Sequence, residues 1–330
     1  MAREDTVMKM NAAVVTSFNE PPHYQAFDAP TPHGDDEIVA DVLAVGLHPR
    51  VRSGASGSHY TSTGELPLVP GVDGVARLPD GRRAYFVPPD DAPGTMADKA
   101  IVDTRRMVVL PDDADPVKIA AAMNPAMSSW VALRRRVPLQ AGQDVLILGV
   151  TGNAGRMAVQ IAKRLGAGRV IGAGRDPERL REALELGADQ VVALSDDART
   201  SAAALAHAAC EVDLVIDYLW GAPAQEAIPA LLTKRSDRSR ALDWIQIGSV
   251  AGLTIQLPSV ALRSANFRLQ GNGQGAVSPR AYLAELPSLV DELTADRLKV
   301  STLTARLRDV EAAWTKPTAP GQRMVVIPGE

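Results

Sequence analysis

The stretch LILGVTGNAGRMAVQIAKRLGAGRVIGAGRDPERL, Leu146–Leu180, carries the strongest signal for the architecture of this chain. It opens inside the apolar run DVLILGV, unbroken as a strand buried on both faces of a parallel sheet must be. After the glycines, Met157, Ala158, Ile161, Ala162 and Leu165 recur at helical spacing, and Gly166 is placed to end that helix. RVIGAG then reads as a second strand. Asp176 is placed to cap a further helix, with Pro177 in its first turn and Gly187 at its end. Strand, glycine turn, helix and strand in this order predict a doubly wound α/β unit.

The turn is Gly149-Val150-Thr151-Gly152-Asn153-Ala154-Gly155. Gly149 lets the strand turn sharply, Gly152 admits a diphosphate close to the backbone, and Gly155 lets helix pack on strand. The helix N-terminus adds free N–H groups and the positive end of its dipole. Three glycines in a loop are also ordinary turn punctuation. Their place between a buried strand and an amphipathic helix favours a dinucleotide cradle built from Gly149, Thr151, Gly152, Asn153, Ala154 and Gly155.

The end of the second strand selects the dinucleotide. A site for NAD usually has an acid there to accept from the ribose hydroxyls. Here the strand ends Gly172-Ala173-Gly174-Arg175, and Asp176 is needed as a helix cap. Gly174 leaves room for a 2′-phosphate, Arg175 offers it a planar fork of donors, and Arg179 a second cation. The expected cofactor is NADPH. The alternative is that both arginines are solvated surface side chains.

Outward from this stretch the texture changes. VDLVIDYL and DWIQIGSV are further buried strands. Leu286, Leu289, Val290 and Leu293 share one helix face, and RMVVIP reads as a closing strand. Residues 10–110 are β-rich: NAAVVTSF and EIVADVLAVGL are short β-branched runs, and ARLPDGRRAYFV reads as a hairpin turning at Pro79-Asp80-Gly81.

A chain of 330 residues suffices for two domains. A net charge of −4 disfavours a nucleic-acid partner, and no apolar run approaches the roughly 18 residues of a membrane span. The N-terminus lacks the apolar core of a secretory signal, which predicts a cytoplasmic protein. The single cysteine, Cys210, excludes an intrachain disulfide and a multi-thiolate zinc site.

VGLHPRVRSG, PLVPGVDGV, GTMADKAIVD, AAAMNPAMSSWVALRRRVPLQAGQDVLILGVTGNAG and IQIGSVAG, in that order, resemble the medium-chain dehydrogenase/reductase superfamily. The resemblance is to its zinc-independent, quinone-oxidoreductase-like branch. It implies a GroES-like β-barrel catalytic domain from residues 1–125 and 275–330. A Rossmann doubly wound parallel sheet would occupy 126–274, with the active site in the cleft between the two.

Zinc-dependent relatives take ligands from three positions that are His48, Val72 and Asn124 here. One imidazole does not make a zinc site, so no metal is expected. Relatives of this branch pass hydride from NADPH to a quinone or an α,β-unsaturated carbonyl compound. The resemblance makes Tyr60 and His48 the candidates to meet or protonate the substrate oxygen. The alternative is that Tyr60 packs the pocket wall and His48 bonds backbone. It also puts Asn124, Ser128, Gly248 and Ser249 beside the nicotinamide. It implies a homodimer joined through a strand such as GLTIQL. The other functional reading is a non-catalytic NADPH-binding protein that retains the fold.

Overall fold

In the computed structural model, which describes residues 8–59, 62–273, 275–319 and 321–329, the β-rich first third of the chain forms two sheets. β1 (Lys9–Val14) and β2 (His23–Asp28) pair antiparallel. β3 (Glu37–Leu47) is the long central strand of the larger sheet. It pairs antiparallel with β4 (Gly74–Arg77) and β6 (Lys99–Asp103). β4 and β5 (Arg83–Phe86) make the hairpin expected at Pro79-Asp80-Gly81, with Gly81 at φ +88°, and β7 (Met107–Val109) pairs with β5. Helix α1 (Pro49–Ala55) follows β3 directly, and α2 (Pro116–Val131) leads out of the sheet region.

From Pro125 the chain builds its second unit, Pro125–Glu285. Its strands are β8 (Val145–Leu148), β9 (Val170–Gly174), β10 (Gln190–Ala193), β11 (Leu214–Asp217), β12 (Leu242–Gln246) and β13 (Phe267–Gly271). Between them lie α3 (Asn153–Arg164), α4 (Pro177–Glu185), α5 (Ala198–Ala209) and α6 (Gly221–Lys234). All neighbours are parallel, in the order β10-β9-β8-β11-β12-β13. This is the doubly wound order, reversing direction between β8 and β11. Leu146, Leu148, Ile171, Val215, Ile228 and Trp244 are fully buried in one core. Each contributes on the order of 1.5–3 kcal/mol by leaving water.

The first unit comprises Met1–Asn124 and Leu286–Glu330. After the helix Leu286–Thr294, whose Leu286, Leu289, Val290 and Leu293 are buried, come β14 (Ser301–Arg306) and β15 (Gln322–Ile327). β15 pairs antiparallel with β3 and parallel with β14, giving the order β14-β15-β3-β4-β5-β7. The core of this unit gathers Val42, Val45, Leu47, Phe86, Met324 and Val326 from both chain segments.

The return to the first unit falls after Glu285, further along than residue 275. The buried Glu285 carboxylate accepts from Nε of Arg134 at 2.5 Å and from Nε of Arg135. Both arginines lie in a π-helical turn, Ala132–Arg136, that continues α2. Gly252–Leu257 forms no strand.

Candidate active site

The carboxyl ends of β8 and β11 mark the switch point, outside which open α/β sheets bind their ligands. The glycine turn lies there, and its three glycines answer to different constraints. Gly149 has φ +86°, and a Cβ on it would stand 3.2 Å from Cβ of Tyr218. A Cβ on Gly155 would stand 2.3 Å from the Gly149 carbonyl oxygen, so only glycine lets α3 pack against the turn. A Cβ on Gly152 would meet nothing nearer than that oxygen, at 3.5 Å. The fold therefore does not itself require Gly152, and the open face is available to a ligand.

Gly152 is also the N-cap of α3 and gives it no side-chain cap, whereas Asp176 and Asp197 cap α4 and α5. The N–H groups of Asn153, Ala154 and Gly155 fall in the first turn, where a helix offers no internal acceptor. With the dipole behind them they suit a diphosphate.

At the end of β9, Asp176 caps α4 as expected, its Oδ1 accepting from N of Glu178 at 3.0 Å and N of Arg179 at 3.1 Å. The Arg175 side chain is 76% exposed, with the Asp196 carboxylate 3.7 Å from it. Arg179 is folded back, its buried Nε 3.6 Å from Oδ2 of Asp176 and without a hydrogen bond. The room at Gly174 differs from the expectation. A Cβ there would stand 2.4 Å from Cγ2 of Thr151, so the Thr151 methyl occupies that space. Arg156, which the sequence reading passed over, pairs with Glu182 across α3 and α4.

The ends of β11 and β12 are tied through Asp217. Its Oδ1 accepts from N of Leu219 at 2.8 Å and N of Trp220 at 2.9 Å, and its Oδ2 from Nε1 of Trp244 at 3.0 Å. Burial pushes its pKa up against these bonds. They hold Trp220 at φ 54°, ψ −155°, a region otherwise left to glycine. Gly248 donates its N–H to the Asp217 carbonyl at 3.1 Å, and a Cβ on it would stand 2.6 Å from the Tyr218 carbonyl oxygen. Ser249 beside it is exposed. Half-buried Ser128 has its hydroxyl 2.9 Å from that of Tyr218 and donates to the Pro125 carbonyl at 3.1 Å. Asn124 is half-buried.

In the first unit His48 is 1% exposed at the start of α1. Its Nε2 lies 3.2 Å from Oδ1 of Asp73, whose Oδ2 accepts from the Tyr85 hydroxyl at 2.7 Å. Thr95 donates to the Asp73 carbonyl at 2.7 Å. His48 thus bonds a carboxylate and not backbone, and its buried Nδ1 has no partner among the described residues. Arg323 is buried nearby with an unpartnered Nε. Burial lowers its pKa to about 10, against the opposing pull of Asp73. Tyr60 lies outside the described residues. Asp73, Tyr85 and Tyr218 escaped the sequence reading. Asp73 directly follows Val72, a position weighed only for zinc, and Tyr218 closes a buried strand with a polar group, a signal available in VDLVIDYL.

A sheet-rich unit closed by both chain segments and a doubly wound unit with a glycine turn at its switch point define a two-domain dehydrogenase architecture. Residues 154–236 match the model of the zinc-binding dehydrogenase family. Over 97% of its length the chain is 30% identical to the Probable NADPH-dependent quinone reductase tdiC of Emericella nidulans, covering 100% of that protein. It matches the quinone oxidoreductase of Thermus thermophilus, solved also in complex with NADPH, with a TM-score of 0.76 at 25% identity, covering 96% of this chain and 100% of that one. A mycobacterial quinone oxidoreductase shares the fold, with a TM-score of 0.79 at 19% identity over 97% of this chain and 100% of its own.

The chain belongs to the medium-chain dehydrogenase/reductase superfamily, in its quinone-oxidoreductase-like branch, and is an oxidoreductase of that type. Among the described residues no three His, Cys, Asp or Glu side chains gather as metal ligands, and Nε2 of His48 is committed to Asp73.

Proposed function

We propose that the chain is an NADPH-dependent, zinc-independent reductase of quinones or α,β-unsaturated carbonyl compounds. The observation that carries this reading is the pairing of an open cradle with an exposed cation. Gly152 is unconstrained by the fold and heads an uncapped helix, and the next strand ends in exposed Arg175 with its one acid, Asp176, used as a cap. The NADPH named for the Emericella relative and bound in the Thermus structure points the same way.

In this reading the unit Pro125–Glu285, with Asn124 directly before it in the chain, holds the cofactor, and His48 and Tyr60 serve the substrate. Bound NADPH supplies the hydride. The glycine turn and the first turn of α3 hold its diphosphate, Arg175 its 2′-phosphate, and Asn124, Ser128, Gly248 and Ser249 its nicotinamide half. The substrate oxygen gains negative charge as hydride arrives, and without a Lewis acid it must be met by donors or water. Tyr60 and His48 are assigned that task. An Nε2–H donated to the Asp73 carboxylate leaves Nδ1 of the neutral ring an acceptor, so His48 meets the oxygen as a donor only when the ring is protonated at both nitrogens.

Burial of His48 supports the second reading, an NADPH-binding protein without efficient turnover. NADPH oxidation against a panel of quinones and unsaturated aldehydes and ketones separates the two. Oxidation with any of them supports the reductase. Tight NADPH binding with no turnover across the panel supports the alternative.

A homodimer is part of the reading. Val250 and Leu253, in the loop after β12, are 84% and 85% exposed, and Val260 and Leu262, in the helix Ser259–Arg263 next to the sheet-edge strand β13, are 55% and 51% exposed. A small-molecule substrate is expected, with neither nucleic acid nor membrane as partner. No described helix is long and apolar enough to cross a membrane. A cytoplasmic location fits a chain with a single cysteine.

A further inference from the structure

The following rests on the cofactor reading above. A dinucleotide in a doubly wound fold crosses the sheet at the switch point, with its diphosphate at the first helix. If the 2′-phosphate is at Arg175 beyond β9, the nicotinamide nucleoside falls on the other side of β8, over β11 and β12. Tyr218 is the first residue past β11. It packs beneath the glycine turn, and its carbonyl blocks any side chain at Gly248. Its ring is buried, and its hydroxyl reaches across to α2.

Ser128 is polar and partly open, and it is held from two directions. Its Oγ lies 2.9 Å from the Tyr218 hydroxyl, and its carbonyl accepts from Nδ2 of the buried Asn272 at 2.9 Å. Its own proton goes to the Pro125 carbonyl one turn back, at 3.1 Å, the usual resting bond of a helical serine. That bond can be given up without breaking the helix, while a donor from Tyr218 keeps Oγ in place.

We propose that Tyr218 is a positioning residue that presents the Ser128 hydroxyl as a donor to the nicotinamide half of the bound dinucleotide. Burial raises the Tyr218 pKa to about 12 against its bonds to the Ser128 and Ser129 hydroxyls, so the phenol stays a neutral donor throughout the working range. With the Ser128 proton on the Pro125 carbonyl, the Tyr218 hydroxyl is the donor to Ser128 Oγ, and in the proposal it keeps that role when Ser128 turns its proton to the ligand.

The test compares NADPH with 2′,5′-ADP, which carries the phosphate-bearing half and no nicotinamide. Dissociation constants are measured by calorimetry for wild type, Tyr218→Phe, Ser128→Ala and the double variant. Each single variant is expected to weaken NADPH by about 3- to 10-fold, the worth of one hydrogen bond, with 2′,5′-ADP unchanged. In the Ser128→Ala background, Tyr218→Phe is expected to add less than about twofold. Unchanged NADPH affinity in either single variant overturns the proposal, and so does parallel weakening of both ligands, which marks general damage. Full additivity in the double variant removes the route through Ser128. A wild-type protein that binds neither ligand refutes the cofactor reading itself.

Discussion

A Cβ on Gly174 would stand 2.4 Å from Cγ2 of Thr151, so the tip of β9 and the glycine turn after β8 share one small space. Gly174→Ala is expected to cost about 1–3 kcal/mol, the usual range for overpacking a tight contact. Thr151→Ser removes the methyl and keeps the hydroxyl. In the double variant most of the loss is expected to return, read as coupling in a denaturant double-mutant cycle. Simple addition of the two effects would mean that Thr151 moves aside freely.

Gly152 and Gly155 make a controlled pair. Gly155→Ala drives a Cβ to 2.3 Å from the Gly149 carbonyl oxygen and is expected to lower Tm by several degrees. Gly152→Ala meets only ordinary contact at 3.5 Å and is expected to change stability by less than about 0.5 kcal/mol. Its effect should appear on NADPH, whose diphosphate would face the new methyl, as a rise in Kd of roughly tenfold or more. A stable Gly152→Ala protein with wild-type affinity would show that the dinucleotide does not approach there.

Arg175 has one distant carboxylate for company, so its loss should leave stability untouched. Arg175→Ala is expected to weaken NADPH by roughly 1.5–3 kcal/mol, the worth of charge-assisted bonds to a phosphate. NADH binding should scarcely change. Equal losses for the two cofactors in a titration would remove Arg175 from the phosphate site.

Arg323 is a buried cation with no hydrogen-bond partner at Nε among the described residues, and the Asp73 carboxylate near it is already used by His48 and Tyr85. Arg323→Met, similar in length and uncharged, is expected to stabilise the protein by about 1–3 kcal/mol at neutral pH. The pH dependence follows in sign. Burial lowers the guanidinium pKa in the folded state to about 10, so the unfolded chain holds that proton more tightly. The penalty is fully present below about pH 10 and fades as pH rises through that value. The stability gap between variant and wild type should be flat from roughly pH 6 to 9 and narrow above. A destabilised Arg323→Met would show that the guanidinium makes a bond, through water or ligand, worth more than its burial costs.

Much of the second unit is legible from residue order because its signals are local. The unbroken run through Val145–Leu148 needs burial on both faces, the spacing after Gly155 needs a helix, and Asp176 followed by Pro177 needs a helix start. All three are met at the expected positions. The Arg134–Glu285 and Arg135–Glu285 bonds join residues far apart in the chain, so the later return to the first unit has no signature in composition. The same holds for Tyr218 and Ser128.

Residue order alone establishes the succession of strands and helices, the glycine turn, and the arginine that stands where an acid would select NAD. These follow from short-range rules of periodicity, capping and steric freedom. Which polar groups meet is settled by the packed molecule and by nothing shorter in range. Packing put Thr151 into the space at Gly174, buried His48 against Asp73, and set Tyr218 beneath the turn with its hydroxyl on Ser128. Such contacts depend on distances across the sheet, and those emerge only when the whole core closes.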